Sequence, residues 1–165
     1  MMLRPISHML LYSFAFGGTA FYSYVASPMA FKVLTRDQFS VLQNKVFPWF
    51  FTMQSISPIA LALTLPAPLA APAYYALGGA TMSGIINLYG LLPWNRSIKV
   101  KRHILQDRLD KGQITKEQFE KFDAPLKKEF GKAHGLSLLV NMGYTVAMLT
   151  YGCFLTTGML RYIPK

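Results

Sequence analysis

Charge is absent from three long stretches of the chain. No Asp, Glu, Lys or Arg occurs over the 23 residues from Met9 to Phe31, the 49 from Val46 to Trp94, or the 28 from Ala133 to Leu160. A helix needs roughly 20 mainly apolar residues to cross a hydrocarbon core about 30 Å thick. The first and third stretches are therefore each long enough for one crossing, and the second for two. Pro66, Pro68 and Pro72 divide the second stretch, because such a cluster cannot continue a helix. The pattern predicts an all-α polytopic membrane protein, one domain over 1–165, with four transmembrane helices at about 9–31, 48–65, 73–92 and 135–157. Tyr12, Phe31, Trp49, Phe50, Tyr74, Tyr75, Trp94 and Tyr162 lie near span ends, where an interfacial aromatic belt would place them. Arg4 followed by an apolar run also suits a signal peptide. The run exceeds the usual 7–15 residues or so, and no small-x-small cleavage site precedes Lys32, so the first segment is read as a retained span.

Two charged loops separate the stretches. In the first, Thr35-Arg36-Asp37-Gln38 forms a capping box, and Phe39, Leu42 and Val46 follow at helical spacing. This predicts a short amphipathic surface helix leading into Phe47-Pro48. The second loop, 95–132, offers an amphipathic piece from Ile98 to Leu109 ended by Gly112, then a capped turn at Thr115-Lys116-Glu117-Gln118 running to about Phe122. Asp107–Gln118 superficially suggests a calcium loop, but with Gly112 at its sixth position the ligand positions fall on Leu109, Lys111 and Gln118, which leaves too few hard oxygens.

Composition sharpens this picture. The chain has 165 residues, 52% hydrophobic and 15% charged, with a net charge of +10. A typical soluble domain has about 25% charged residues, so an ordinary soluble enzyme and a disordered tail are disfavoured. The positive charge does not spread into a nucleic-acid-binding face: 17 of the 24 charges lie between Asn95 and Lys132. Lys and Arg number fourteen in the two loops against three (Arg4, Arg161, Lys165) on the other side. By the positive-inside rule the loops face the cytosol, or the matrix in an inner mitochondrial membrane. Cys153 stands alone, which excludes an intrachain disulfide and any multi-cysteine metal site, and His8, His103 and His134 are scattered.

The polar residues inside the spans are neutral. Gln54, Asn87 and Asn141 each sit about 7–9 Å in from the basic side at 1.5 Å per residue, with His134 at the boundary. Above them lies a mouth carrying Lys45, Arg96 and Lys132. The blander reading is that the amides hydrogen-bond between helices. The sharper one is a ligand-binding vestibule for a polar or anionic headgroup. No intramembrane ionisable residue suggests a pump, and no nucleophile elbow, phosphate loop or paired-His zinc motif appears, so no catalytic residue, metal or cofactor is expected. Small residues suit close helix packing: Ser13, Gly17 and Gly18 in the first span, and Ala76, Ala80 and Gly84 beside Gly79 and Ser83 in the third. Their partner is another span of this chain, a second copy or another membrane protein.

Several segments resemble a known family. They are Gln43-Asn44-Lys45-Val46-Phe47-Pro48-Trp49-Phe50, Asn87 with Leu91-Leu92-Pro93, Gly17-Gly18, and Lys132-Ala133-His134-Gly135-Leu136-Ser137 with Leu139 and Asn141. Together with the four-span layout they resemble the transmembrane protein 205-like family, domain of unknown function 4149. The resemblance implies a small four-helix membrane protein without established enzymatic activity, a link to platinum-drug resistance, and a mitochondrial membrane (outer favoured) ahead of the endoplasmic reticulum. The resulting expectation is a non-enzymatic protein influencing lipid or small-molecule handling, in contact with membrane lipids, anionic ones included, and not with nucleic acid. The alternative is a scaffold or assembly subunit binding partner helices. A membrane enzyme with His134 as general base is a weaker third.

Overall fold

The computed structural model describes residues 3–66 and 68–160, so Arg161, Tyr162 and Lys165 lie outside the described residues. The described chain is helical, with no strand among the described residues: α1 (Leu3–Phe21), α2 (Ser27–Val33), α3 (Arg36–Thr64), α4 (Ala71–Ile85), α5 (Leu92–Asp110) and α6 (Lys116–Leu160). A π turn at Tyr22–Ala26 joins α1 to α2, and a second at Ile86–Leu91 joins α4 to α5. The stretches expected to form the first and third spans are thus composite helical paths. α3 and α6 are by themselves long and apolar enough to cross a membrane, which points to membrane association.

The polar loops differ from the expectation of short surface helices. Thr35 does cap a helix: Gln38 N–H donates to its Oγ1 at 3.3 Å, and Thr35 N–H donates to Gln38 Oε1 at 3.1 Å. That helix does not stop at Phe47 but continues through Pro48 and Pro58 to Thr64. Thr115 and Gln118 make the same reciprocal pair, at 3.2 and 3.0 Å. The helix they start runs through Pro125 to Leu160 rather than ending near Phe122. At 1.5 Å per residue its 45 residues extend about 68 Å, twice the thickness of a bilayer core. α5 and the first part of α6 therefore form an antiparallel hairpin continuous with the bundle. Gly112, at φ +69°, makes its turn, and Gln113 N–H bonds back to the Arg108 carbonyl at 2.9 Å.

The bundle is built on inward stripes at helical spacing. α4 packs against α3 and α6, while α1 lies against α3 and, less extensively, α6. α1 turns His8, Ala15 and Thr19 inward, α4 turns Ala73, Leu77, Ala80 and Gly84, and α6 turns Tyr144, Met148, Tyr151 and Leu155. Apolar burial drives helices together weakly where the surroundings are themselves apolar, so close backbone approach and interhelical hydrogen bonds matter more. Gly84 supplies the closest approach: a Cβ there would lie 2.6 Å from the Ser55 nitrogen and 2.7 Å from the Gln54 carbonyl carbon. Ala80 is fully buried and Ala76 half-buried beside it, and Ser83 sits 3.8 Å from the Cβ position of Gly143.

The remaining small residues of that set lie at or near the surface of this chain. Ser13 and Gly17 are exposed, Gly18 is half-buried, and neither glycine has an atom within 4 Å of its Cβ position. Ser13 and Gly17 lie on the face of α1 opposite the buried stripe, two residues (about 200°) from Ala15, while Gly18 lies at the edge of that stripe and lines a groove against α3. Gly79 is likewise exposed and open. A close approach absent from the sequence reading is at Gly152, where the Tyr12 ring seats against α6 in the space a side chain would fill.

Candidate functional site

Near the hairpin end of the bundle the three amides come into one layer. Gln54 Nε2 donates to Asn141 Oδ1 at 2.8 Å, and Asn141 Nδ2 donates to Ser23 Oγ at 2.9 Å. This chain ties α3 to α6 and α6 to the first π turn. Asn87, in the second π turn, pairs with Ser137 instead: it accepts from Ser137 Oγ at 2.6 Å and donates to the Ser137 carbonyl at 3.4 Å. Gln54 and Asn87 are fully buried. Five of the six amide polar atoms thus bond to another helix or π turn, and the sixth, Gln54 Oε1, is buried without a partner among the described residues.

The cations expected around a mouth lie on three helices, Lys45 on α3, Arg96 on α5 and Lys132 on α6. Arg96 Nη2 donates to the Asn44 carbonyl at 2.7 Å. That carbonyl would ordinarily accept from the N–H of residue 48, and residue 48 is proline. Arg96 therefore satisfies the acceptor that the proline strands, and fastens α5 to α3. Lys45 is exposed, one residue further along α3, and Lys132 is exposed on α6. His134 stacks on Phe130, one turn back on the same helix, with ring centroids 5.6 Å apart. Lys99 sits 5.8 Å above the Phe130 ring and donates to Ser40 Oγ at 3.4 Å. Burial first, and the nearby Arg96 charge second, lower its pKa.

At the opposite end a second polar cluster was not foreseen. His8 is fully buried, with Nδ1 3.0 Å from Thr64 Oγ1 and Nε2 2.7 Å from the Tyr151 hydroxyl. Thr64 gives its own proton to the Ala60 carbonyl at 2.7 Å. The neutral ring therefore carries its proton on Nδ1 and accepts from Tyr151 through Nε2. This clamps the start of α1 to the end of α3 and to α6. The signal that could have found it is the spacing of His8, Tyr12, Ala15 and Thr19, one helical stripe carrying every polar group that α1 turns inward.

The hairpin uses charge. Asp123 is 2% exposed and takes Arg102 Nε on Oδ1 at 2.7 Å and Arg102 Nη2 on Oδ2 at 3.2 Å, with Lys127 Nζ also 3.2 Å from Oδ2. The Arg102 hydrogen bonds, aided by Lys127, hold the carboxyl below the ordinary carboxylate range. Trp94 Nε1 donates to Glu129 Oε1 at 2.8 Å nearer the bundle.

Two shallow grooves flank these elements. One, of about 530 Å³, is lined by Gly18, Lys45, Val46, Trp49, Phe50 and Met53. The other, of about 410 Å³, lies on the hairpin between Ile104 and Phe122. Neither is lined by Gln54, Asn87 or Asn141.

Residues 10–104 match the family model described as a domain of unknown function, DUF4149. The chain belongs to this family. The matched region runs from α1 into α5 and includes Gln54, Asn87, Lys45 and Arg96. It stops short of α6, so the His134-Gly135-Leu136-Ser137 segment and Asn141 lie outside it. No curated protein and no solved structure matches the chain.

Proposed function

We propose that this DUF4149 protein is a four-span, non-enzymatic membrane protein that influences lipid or small-molecule handling through its bilayer-facing surface. The observation that carries the reading is the layer formed by Gln54, Asn141, Ser23, Asn87 and Ser137. Its polar groups bond helix to helix, which leaves the outer faces to meet lipid. Those faces carry large apolar side chains on each long path, including Phe14, Ile56, Leu63, Tyr75, Leu139 and Val146. In this arrangement the spans are α1 with its π turn, the part of α3 after Pro48, α4 with its π turn, and the part of α6 after Ala133. The hairpin and the α2–α3 corner face the cytosol or matrix, and a mitochondrial membrane is favoured over the endoplasmic reticulum. The transmembrane protein 205-like likeness supports the same layout and a role in drug handling.

A membrane scaffold is the second reading, favoured by Ser13, Gly17 and Gly18. Ser13 and Gly17 face outward, Gly18 is half-buried at their edge, and neither glycine has an atom within 4 Å of its Cβ position, a surface that a partner helix could approach closely. The experiment is native mass spectrometry of the purified protein with lipids retained, comparing the wild type with Asn87→Ala/Asn141→Ala. The proposal expects bound phospholipid in both, with lower yield of the variant. A lipid-free wild type that copurifies in fixed stoichiometry with another membrane protein would favour the scaffold. Loss of bound lipid in a folded variant would move lipid contact to the amide layer.

A further inference from the structure

We propose that the groove between α1 and α3 holds an acyl chain of an anionic phospholipid, its phosphate against Lys45. The inference rests on the reading of α1 and α3 as bilayer-crossing. Lys45, Val46, Trp49, Phe50 and Met53 line one side of the groove and form a single stripe along α3. From Lys45 to Met53 the stripe descends about 12 Å, close to the roughly 15 Å depth of one leaflet's hydrocarbon. Gly18 lines the other side, and an added Cβ there or at Gly17 would meet no atom within 4 Å, so that wall leaves room for a chain.

The floor is firm: Phe50 is buried, with the Tyr22 ring 5.0 Å away and Phe47 beside it. Tyr22 is held in turn by its hydroxyl, which donates to Gln43 Oε1. Trp49 forms the outer wall and is 79% exposed.

The charge at the upper end selects the occupant. Lys45 makes no ion pair among the described residues, and no acidic residue follows Asp37 in α3. Arg96 is engaged at the neighbouring Asn44 carbonyl, so Lys45 is the cation that lines the groove. A lipid without net charge would leave it unmatched, while an anionic headgroup above a chain in the groove matches charge and apolar lining together.

The test uses Trp49 as the reporter. Trp94→Phe leaves it as the sole tryptophan of the two. The full-length protein is placed in bilayers of phosphatidylcholine mixed with phosphatidylglycerol, with brominated chains on one lipid or the other, and Trp49 quenching is read at equal mole fraction. The expected result is a preference for brominated phosphatidylglycerol of about fivefold, the factor one surface cation supplies. Lys45→Gln should bring the preference close to one, Gly18→Leu should abolish it by filling the groove, and Gly79→Leu on the far side should leave it unchanged. Lys45 is exposed and Gly18 has open space, so both variants retain the fold. Equal quenching by the two lipids would overturn the groove and leave the membrane reading standing. Quenching by neither would overturn both, unless copies cross-link through position 49, in which case a second copy occupies the groove and this proposal alone fails.

Discussion

The bundle and the hairpin solve the same problem in different chemistry. Each must hold helices in register with polar contacts. The bundle uses neutral groups, Gln54 with Asn141 and Asn87 with Ser137, whereas the hairpin uses the ionised group Asp123 between Arg102 and Lys127. The difference follows the surroundings. An ion inside hydrocarbon is expensive even when paired, while an amide bonded to an amide leaves little unsatisfied. In the hairpin, Arg102 and Lys127 keep part of their side chains in water, so Asp123 can be buried and still be compensated. In the proposed span arrangement, the change from charge to amide along α6, between Lys132 and Asn141, falls where the helix enters the bilayer.

The contrast can be broken most severely at Gly84. Gly84→Ala places a methyl against the Ser55 and Gln54 backbone and should cost about 3 kcal/mol, seen as a loss of thermal stability in detergent. Asp123→Ala should cost about 2 kcal/mol, read by amide hydrogen exchange that accelerates over 95–132 and stays unchanged in α4. The same group sets a pH dependence. Its native pKa is depressed, so its contribution is complete above the ordinary carboxylate pKa of about 4 and is lost as pH falls through the lower native value. Hairpin protection factors, taken against the intrinsic exchange rate at each pH, should fall at acid pH in the wild type and show no such dependence in Asp123→Asn. Asn141→Ala should cost less, about 0.6 kcal/mol for each interhelical bond removed, measured by unfolding in mixed micelles. Gly79→Ala, on an open face, should stay within about 0.5 kcal/mol. If Asn141→Ala proved as damaging as Gly84→Ala, the amides would be the main fastening of the bundle rather than a supplement to close packing.

Much of this architecture was legible in the sequence for local reasons. Both capping boxes, at Thr35 and Thr115, follow from residue type at fixed offsets, and so does the Gly112 turn. The depth of Gln54 and Asn141 could be counted along helices, and they meet. Helix continuity was not legible. Pro48 looked like a boundary, but α3 runs through it, and the carbonyl it strands, that of Asn44, accepts from Arg96, 52 residues away. The π turns carry no sequence signature, although they fall at Ser23 and Asn87 and present both to α6. The inward face of α1 is set by the His8–Thr19 stripe, which the small residues Ser13, Gly17 and Gly18 do not reveal. The seat of Tyr12 at Gly152 depends on two segments distant in the chain.

The most direct test of the account is labelling from water of single cysteines in sealed vesicles, with Cys153 replaced by Ala. Phe14, Tyr75 and Val146 are all exposed on the protein's own surface, so nothing in this chain shields them. The account predicts that cysteines at these three positions resist a membrane-impermeant maleimide, while those at Arg36 and Gln113 react from one side and one at Pro66 reacts from the other. Rapid labelling at Phe14 and Tyr75, with Ile59 and Val146 still protected, would mean that only α3 and α6 cross the membrane, and would contradict it.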